Sequence, residues 1–251
     1  AQNTTNLPTS LYGIGELSMS DGGHYAGLGN MGIALNRVGF QNTQNPAAIT
    51  RMDTACFTFD VGIMVSYSRY SFLGNHSTNS SGNPNRMSIG FRVLPHWYTM
   101  IGLSPYSSVG YIIQTTEEVE GTNGGTVSSL FEGTGGIYKF YVTNAFALTK
   151  NLSIGANVGF ISGTVNKEET QESAVVKYES NKKAPYVDLG LHYTFHVSSS
   201  RYWSLGLVYA FPFKINQTNN LTYSNSSTSE DMDISYKKVS QFLPERIGGG
   251  I

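Results

Sequence analysis

Phe57-Thr58-Phe59-Asp60-Val61-Gly62-Ile63-Met64-Val65-Ser66-Tyr67-Ser68 is the stretch that decides the fold. In an extended chain, Phe57, Phe59, Val61, Ile63, Val65 and Tyr67 fall on one face. Thr58, Asp60, Gly62, Met64, Ser66 and Ser68 fall on the other. Side chains alternate across a strand, so the period predicts a strand with one apolar face and one small or polar face. The pattern returns downstream. Met87, Ile89, Phe91 and Val93 oppose Ser88, Gly90 and Arg92. Leu152, Ile154, Ala156, Val158 and Phe160 oppose Ser153, Gly155, Asn157 and Gly159. Val187, Leu189, Leu191, Tyr193 and Phe195 oppose Asp188, Gly190, His192 and His196.

A soluble sandwich also alternates, but its solvent face carries charge. Here that face is mostly Gly, Ser, Thr and Asn, and each apolar run covers about 9–11 residues, enough to cross a bilayer at the usual tilt. The connections separate by length. Residues 74–85, 118–132, 167–182 and 217–231 read as long polar loops, and 95–97, 149–151 and 198–201 as tight turns. Long loops at one end and short turns at the other predict an all-β, antiparallel transmembrane β-barrel with its turns in the periplasm. Trp97, Tyr98, Tyr202 and Trp203 lie beside the short turns, where an interfacial girdle belongs.

Composition agrees. Of 251 residues, 13% are charged and 12% aromatic, and the net charge is −1. That balance gives no electrostatic case for nucleic acid. No apolar run is long enough for a transmembrane helix. The single cysteine, Cys56, allows no internal disulfide. Ala1-Gln2-Asn3 reads as a mature terminus left after removal of a signal peptide.

Residues 1–52 do not alternate and form a separate N-terminal segment ahead of the strands in 53–251. Gly27-Leu28-Gly29-Asn30-Met31-Gly32 matches the dinucleotide fingerprint by letter, but neither the preceding strand nor the following helix that the fingerprint needs is predicted, so these glycines read as turn formers. No catalytic residues, metal ligands or cofactor are predicted. His192 and His196 share a face but sit about 13 Å apart along a strand, too far for one metal. Glu230-Asp231 and Asp233 read as a solvated loop cluster.

Several short motifs, in order, carry a family resemblance. They are the Gly-rich run at 18–29, the Gln44-Asn45-Pro46-Ala47 element ahead of the first strand, Ser104-Pro105-Tyr106-Ser107 in the third, Gly124-Gly125-Thr126, Asn151-Leu152-Ser153-Ile154-Gly155, and Leu243-Pro244-Glu245. Together they resemble the FadL-type long-chain fatty-acid transporters of the outer membrane, with the flavour of members from Bacteroidetes. The resemblance implies a 14-stranded barrel with an N-terminal hatch in its lumen. Residues 1–52 would be the hatch, with Asn45, Pro46 and Ala47 as its motif. Residues 53–251 would be the first seven to eight strands, the chain being about the N-terminal half of the protein.

The resemblance further implies uptake of hydrophobic, fatty-acid-like molecules through a lateral opening at a kinked third strand, shaped by Pro105, Tyr106 and Ser107. Proline lacks a ladder donor, which fits such a distortion, and an ordinary bulge or a membrane-boundary bend is the alternative. Asn45 is a candidate to satisfy backbone groups at the opening. The expected partners are the lipid bilayer and a hydrophobic small-molecule ligand. A rival expectation follows from the absence of a long apolar external hairpin. On that reading, the barrel is a structural subunit of a larger outer-membrane assembly or secretion complex, with other outer-membrane proteins as partners.

Overall fold

The computed structural model describes residues 7–18, 24–52, 57–72, 75–118, 126–172, 174–198, 201–225, 230–236 and 241–251. Asp53, Cys56, Gly124, Gly125 and residues 19–23 of the N-terminal motif lie outside the described residues. The fold is all-β: a single antiparallel sheet curled into half a barrel. Its strands are β1 (Glu16–Leu17), β2 (Thr58–Phe72), β3 (Asn75–Leu94), β4 (Trp97–Glu118), β5 (Thr126–Ala147) and β6 (Leu152–Gln171). These are followed by β7 (Ala174–Ser198), β8 (Arg201–Ala210), β9 (Lys214–Asn225), β10 (Glu230–Tyr236), β11 (Gln241–Phe242) and β12 (Arg246–Gly250).

The wall follows chain order from β2 to β7, each strand pairing with the next. One end of β7 then pairs with β8 and the other with β9. β8 and β9 are therefore two halves of one wall strand, interrupted at Phe211-Pro212-Phe213. β10 and β11 pair with β9 and β12 with β8, which makes an eighth wall strand in three pieces.

The two faces follow the alternation. On β2, Ile63 is 74% and Val65 77% exposed on the outward face. On β6 and β7, Val158 and Leu189 point out, whereas Asn157, Asp188 and His192 are buried on the concave side. Trp97, Tyr202 and Trp203 sit beside the tight turns as expected, but Tyr98 does not join the girdle. It points inward and packs with Ile49, Met52 and Met100, because its position in β4 falls on the concave face.

The polar stretches correct the sequence reading. Residues 167–171 are not a free loop. They pair with 174–178 up to Gln171↔Ala174, and Glu168 meets Lys177 at 3.4 Å across the strands. Asp233 likewise lies in β10, where its Oδ1 accepts from Thr222 Oγ1 at 2.6 Å. Backbone ladders form regardless of side-chain polarity, so the hairpins continue as paired sheet above the apolar band. The tight turns at 95–97 and 149–151 are where the sequence puts them.

Candidate functional site

The N-terminal segment lies on the concave face. Gln41 to Thr50 form an unbroken run of buried residues, most of them polar, and specific side-chain bonds place the segment. Asn42 Nδ2 donates to the Gly32 and Leu35 carbonyls at 2.6 and 2.8 Å. Gln41 Nε2 donates to the Thr58 carbonyl of β2 at 2.6 Å. Arg86 of β3 pairs with Asp60 of β2 and reaches Thr43 Oγ1 at 3.5 Å. Thr50 and Ser153 share a hydrogen bond at 2.9 Å. One short segment thus touches strands on both sides of the half-barrel, which only a strongly curved sheet permits.

Asn45-Pro46-Ala47 is the centre of this contact. Asn45 is fully buried and caps the short 3-10 helix Pro46–Arg51, its Oδ1 accepting from Ala47 N at 3.0 Å. Proline at the next position suits the helix start, where an N–H has no partner. The Asn45 amide nitrogen donates to the Ile33 carbonyl at 2.7 Å and to the Leu191 carbonyl of β7 at 3.1 Å. Gly155 and Gly190 lie beneath the motif, and a Cβ at either would collide with Pro46 or Asn45. The contact expected of Asn45 is not the one it makes. Asn45 supplies nothing to the distorted strand, since its side-chain groups are committed to Ala47, Ile33 and β7.

β4 is distorted between Pro105 and Ser107. Pro105 pairs with Tyr138 and Ser107 with Ile137, which leaves Tyr106 as the extra residue of a β-bulge. Pro105 also lies on a strand edge, where a missing N–H costs no ladder bond. β3 and β4 pair only as far as Met87↔Leu103. Beyond that point they diverge, and β1 from the N-terminal segment adds to the edge of β4 through Glu16↔Ser108 and Leu17↔Ser107. The Ser18 N–H donates to the Tyr106 carbonyl at 2.9 Å, and Ser107 Oγ to the Ile14 carbonyl at 2.8 Å. The seam in the wall is thus covered by residues 14–18.

Two lysines hold the same segment from the other side. Lys167 Nζ donates to the Leu11 carbonyl at 2.7 Å, and Lys182 Nζ to the Gly13 carbonyl at 3.0 Å and to Gln241 Oε1 at 3.1 Å. Both lie above the apolar band, where the outward neighbours are Asn166, Glu168, Asn181 and Lys183. Burial, and then the Lys167 charge, bring Lys182 down to about 8. Burial also lowers Lys167.

An ionic group with a buried carboxylate sits between the bulge and the interrupted wall strands. Tyr186 Oη donates to Asp188 Oδ2 at 2.6 Å, and Arg246 lies 3.6 Å from the same oxygen. Lys139 stands over the Tyr186 ring at 4.7 Å and the Tyr141 ring at 5.0 Å. Lys139 and Asp188 are recognisable as inward residues from the alternation. Tyr186 follows on the same inward face of β7, two residues before Asp188, whereas Arg246 is not recognisable as their companion, because it comes from a distant part of the chain. His192 bridges to the N-terminal segment, 3.0 Å from the Ala34 carbonyl and 3.4 Å from Asn36, while His196 is exposed. The Gly27–Gly32 run forms turns: Gly29 takes a left-handed φ of 67° at the end of the 3-10 helix Ala26–Leu28.

No curated protein and no solved structure matches the chain. A family model described as BamG matches residues 1–245. That match overturns the expectation of fatty-acid-like transport through a lateral opening and favours the rival expectation of a subunit in an outer-membrane complex. The bulge, the seam that β1 covers and the bonded N-terminal segment all lie within the matched residues, and the chain belongs to the BamG family.

Proposed function

We propose that this chain is a structural subunit of an outer-membrane assembly complex, a FadL-like wall whose N-terminal segment is fixed in place. Membership of the BamG family over nearly the whole length carries the reading. The geometry supports it in two ways. Buried side-chain bonds anchor the N-terminal segment to β2, β4, β6 and β7, as suits a scaffold. The outward face offers a shallow apolar groove of about 650 Å³, bordered by Ile154, Ala156, Leu189, Leu191, Leu207 and Ile247. At membrane depth such a surface suits hydrocarbon or the wall of a neighbouring barrel. The partners on this reading are the bilayer and other outer-membrane proteins.

Depleting the protein in its native cell is the test. The reading expects assembled outer-membrane barrel proteins to fall together while their synthesis continues. Normal levels of all of them after full depletion would refute it.

A further inference from the structure

Lys139 is 8% exposed on the concave face of β5, yet among the described residues it has no carboxylate within ion-pair distance and donates no hydrogen bond. The nearby acid, Asp188, has its Oδ2 engaged by Tyr186 and Arg246, and its charge reaches Lys139 only from beyond ion-pair distance. The faces of Tyr141 and Tyr186 offset part of the cost of burying the ammonium, but ring faces do not replace a counter-ion.

A cavity of about 130 Å³ opens beside this lysine. Lys139, Arg246, Ser104 and Tyr106 bring donor groups to it, Leu17 and Phe211 supply apolar wall, and no carboxylate lines it. Three interruptions of the wall converge there: the Tyr106 bulge, the break at Phe211 between β8 and β9, and the break at Leu243-Pro244 between β11 and β12. Its height is informative. Lys139 neighbours Tyr138, the last residue of the outward apolar run on β5 before Gly136, Thr134 and Glu132. The cavity therefore sits near the level where hydrocarbon gives way to headgroups.

We propose that this cavity is an oxyanion site that takes a phosphate group, with Lys139 and Arg246 as its charge partners. Tyr106 and Ser104 complete the donor set. The phosphate belongs either to a lipid headgroup, whose chains would follow Leu17 and Phe211, or to a small soluble ion. The proposal goes beyond the complex-subunit reading and does not depend on it.

The test uses the protein purified from its native membrane in mild detergent, alongside Lys139→Gln and the charge-retaining Lys139→Arg. Thermal unfolding is followed while inorganic phosphate is titrated at constant ionic strength, and native mass spectrometry reports bound phospholipid. A saturable rise in the unfolding midpoint is expected in the wild type and Lys139→Arg, with at least a tenfold weaker response in Lys139→Gln. Phospholipid retained by the wild type and lost in Lys139→Gln would identify the source as lipid. A phosphate response without retained lipid would identify a soluble anion. An equal response in Lys139→Gln and wild type, or no phosphate response and no phospholipid in assembled wild-type protein, would overturn the site.

Discussion

Asn45 and Leu191 lie 146 residues apart, and the Asn45 amide donates to the Leu191 carbonyl at 3.1 Å. That bond ties the start of a 3-10 helix to the middle of β7. Because the same side chain also caps the helix, Asn45→Ala removes a cap and two long-range anchors at once. The expected loss is about 2 kcal/mol, in the range for a lost cap with buried hydrogen bonds. Heat-modifiability on gels and protease digestion of folded protein check it. The variant should assemble its wall, unfold at lower temperature and release an N-terminal fragment sooner.

Leu17 and Ser107 are register partners across the seam. A Leu17→Cys/Ser107→Cys pair should form a disulfide under mild oxidation, since directly opposed strand residues bring Cα atoms within bridging range. If residues 14–18 are a fixed cover, the oxidised protein should join its complex as well as the reduced one. Loss of complex on oxidation alone would mean that the cover must move.

The apolar band has a boundary on β6 that two arginines can locate. Val158→Arg places a charge at its centre and should cost about 2–4 kcal/mol. Asn166→Arg, eight residues along on the same outward face, should cost almost nothing. The folded yield in membranes separates the two.

Lys182 sets a pH dependence. Its folded value of about 8 lies below its ordinary value of 10.5, so the unfolded chain binds the proton more tightly. Stability should therefore rise as pH climbs from about 8 towards 10.5, and the burden of the buried charge is fully present below 8. Unfolding midpoints at pH 7.5 and 9.5 check this. The wild type should gain relative to Lys182→Met, in which the group is absent.

Alternation made β2, β6 and β7 legible, because a two-residue period fixes which side chain faces which way. Asp188 and His192 were readable as inward from that pattern alone. Pro105 marked the bulge, since proline inside a strand needs an edge or a distortion. The seam was not legible: it depends on β1, two residues long, pairing with β4 some 90 positions later. The polar hairpin at 167–178 reads as loop in the sequence, because low hydrophobicity removes the signal without removing the ladder. Lys139, Tyr186, Asp188 and Arg246 were not legible as a group, because sheet curvature brings them together from three separate wall strands.

Membership of a complex is tested by the mass of the particle purified from native membrane through a tag on this chain. Native mass spectrometry in mild detergent is predicted to give one species of fixed stoichiometry containing other outer-membrane proteins. A lone chain, free of any protein partner and recovered in good yield, would rule out the subunit role.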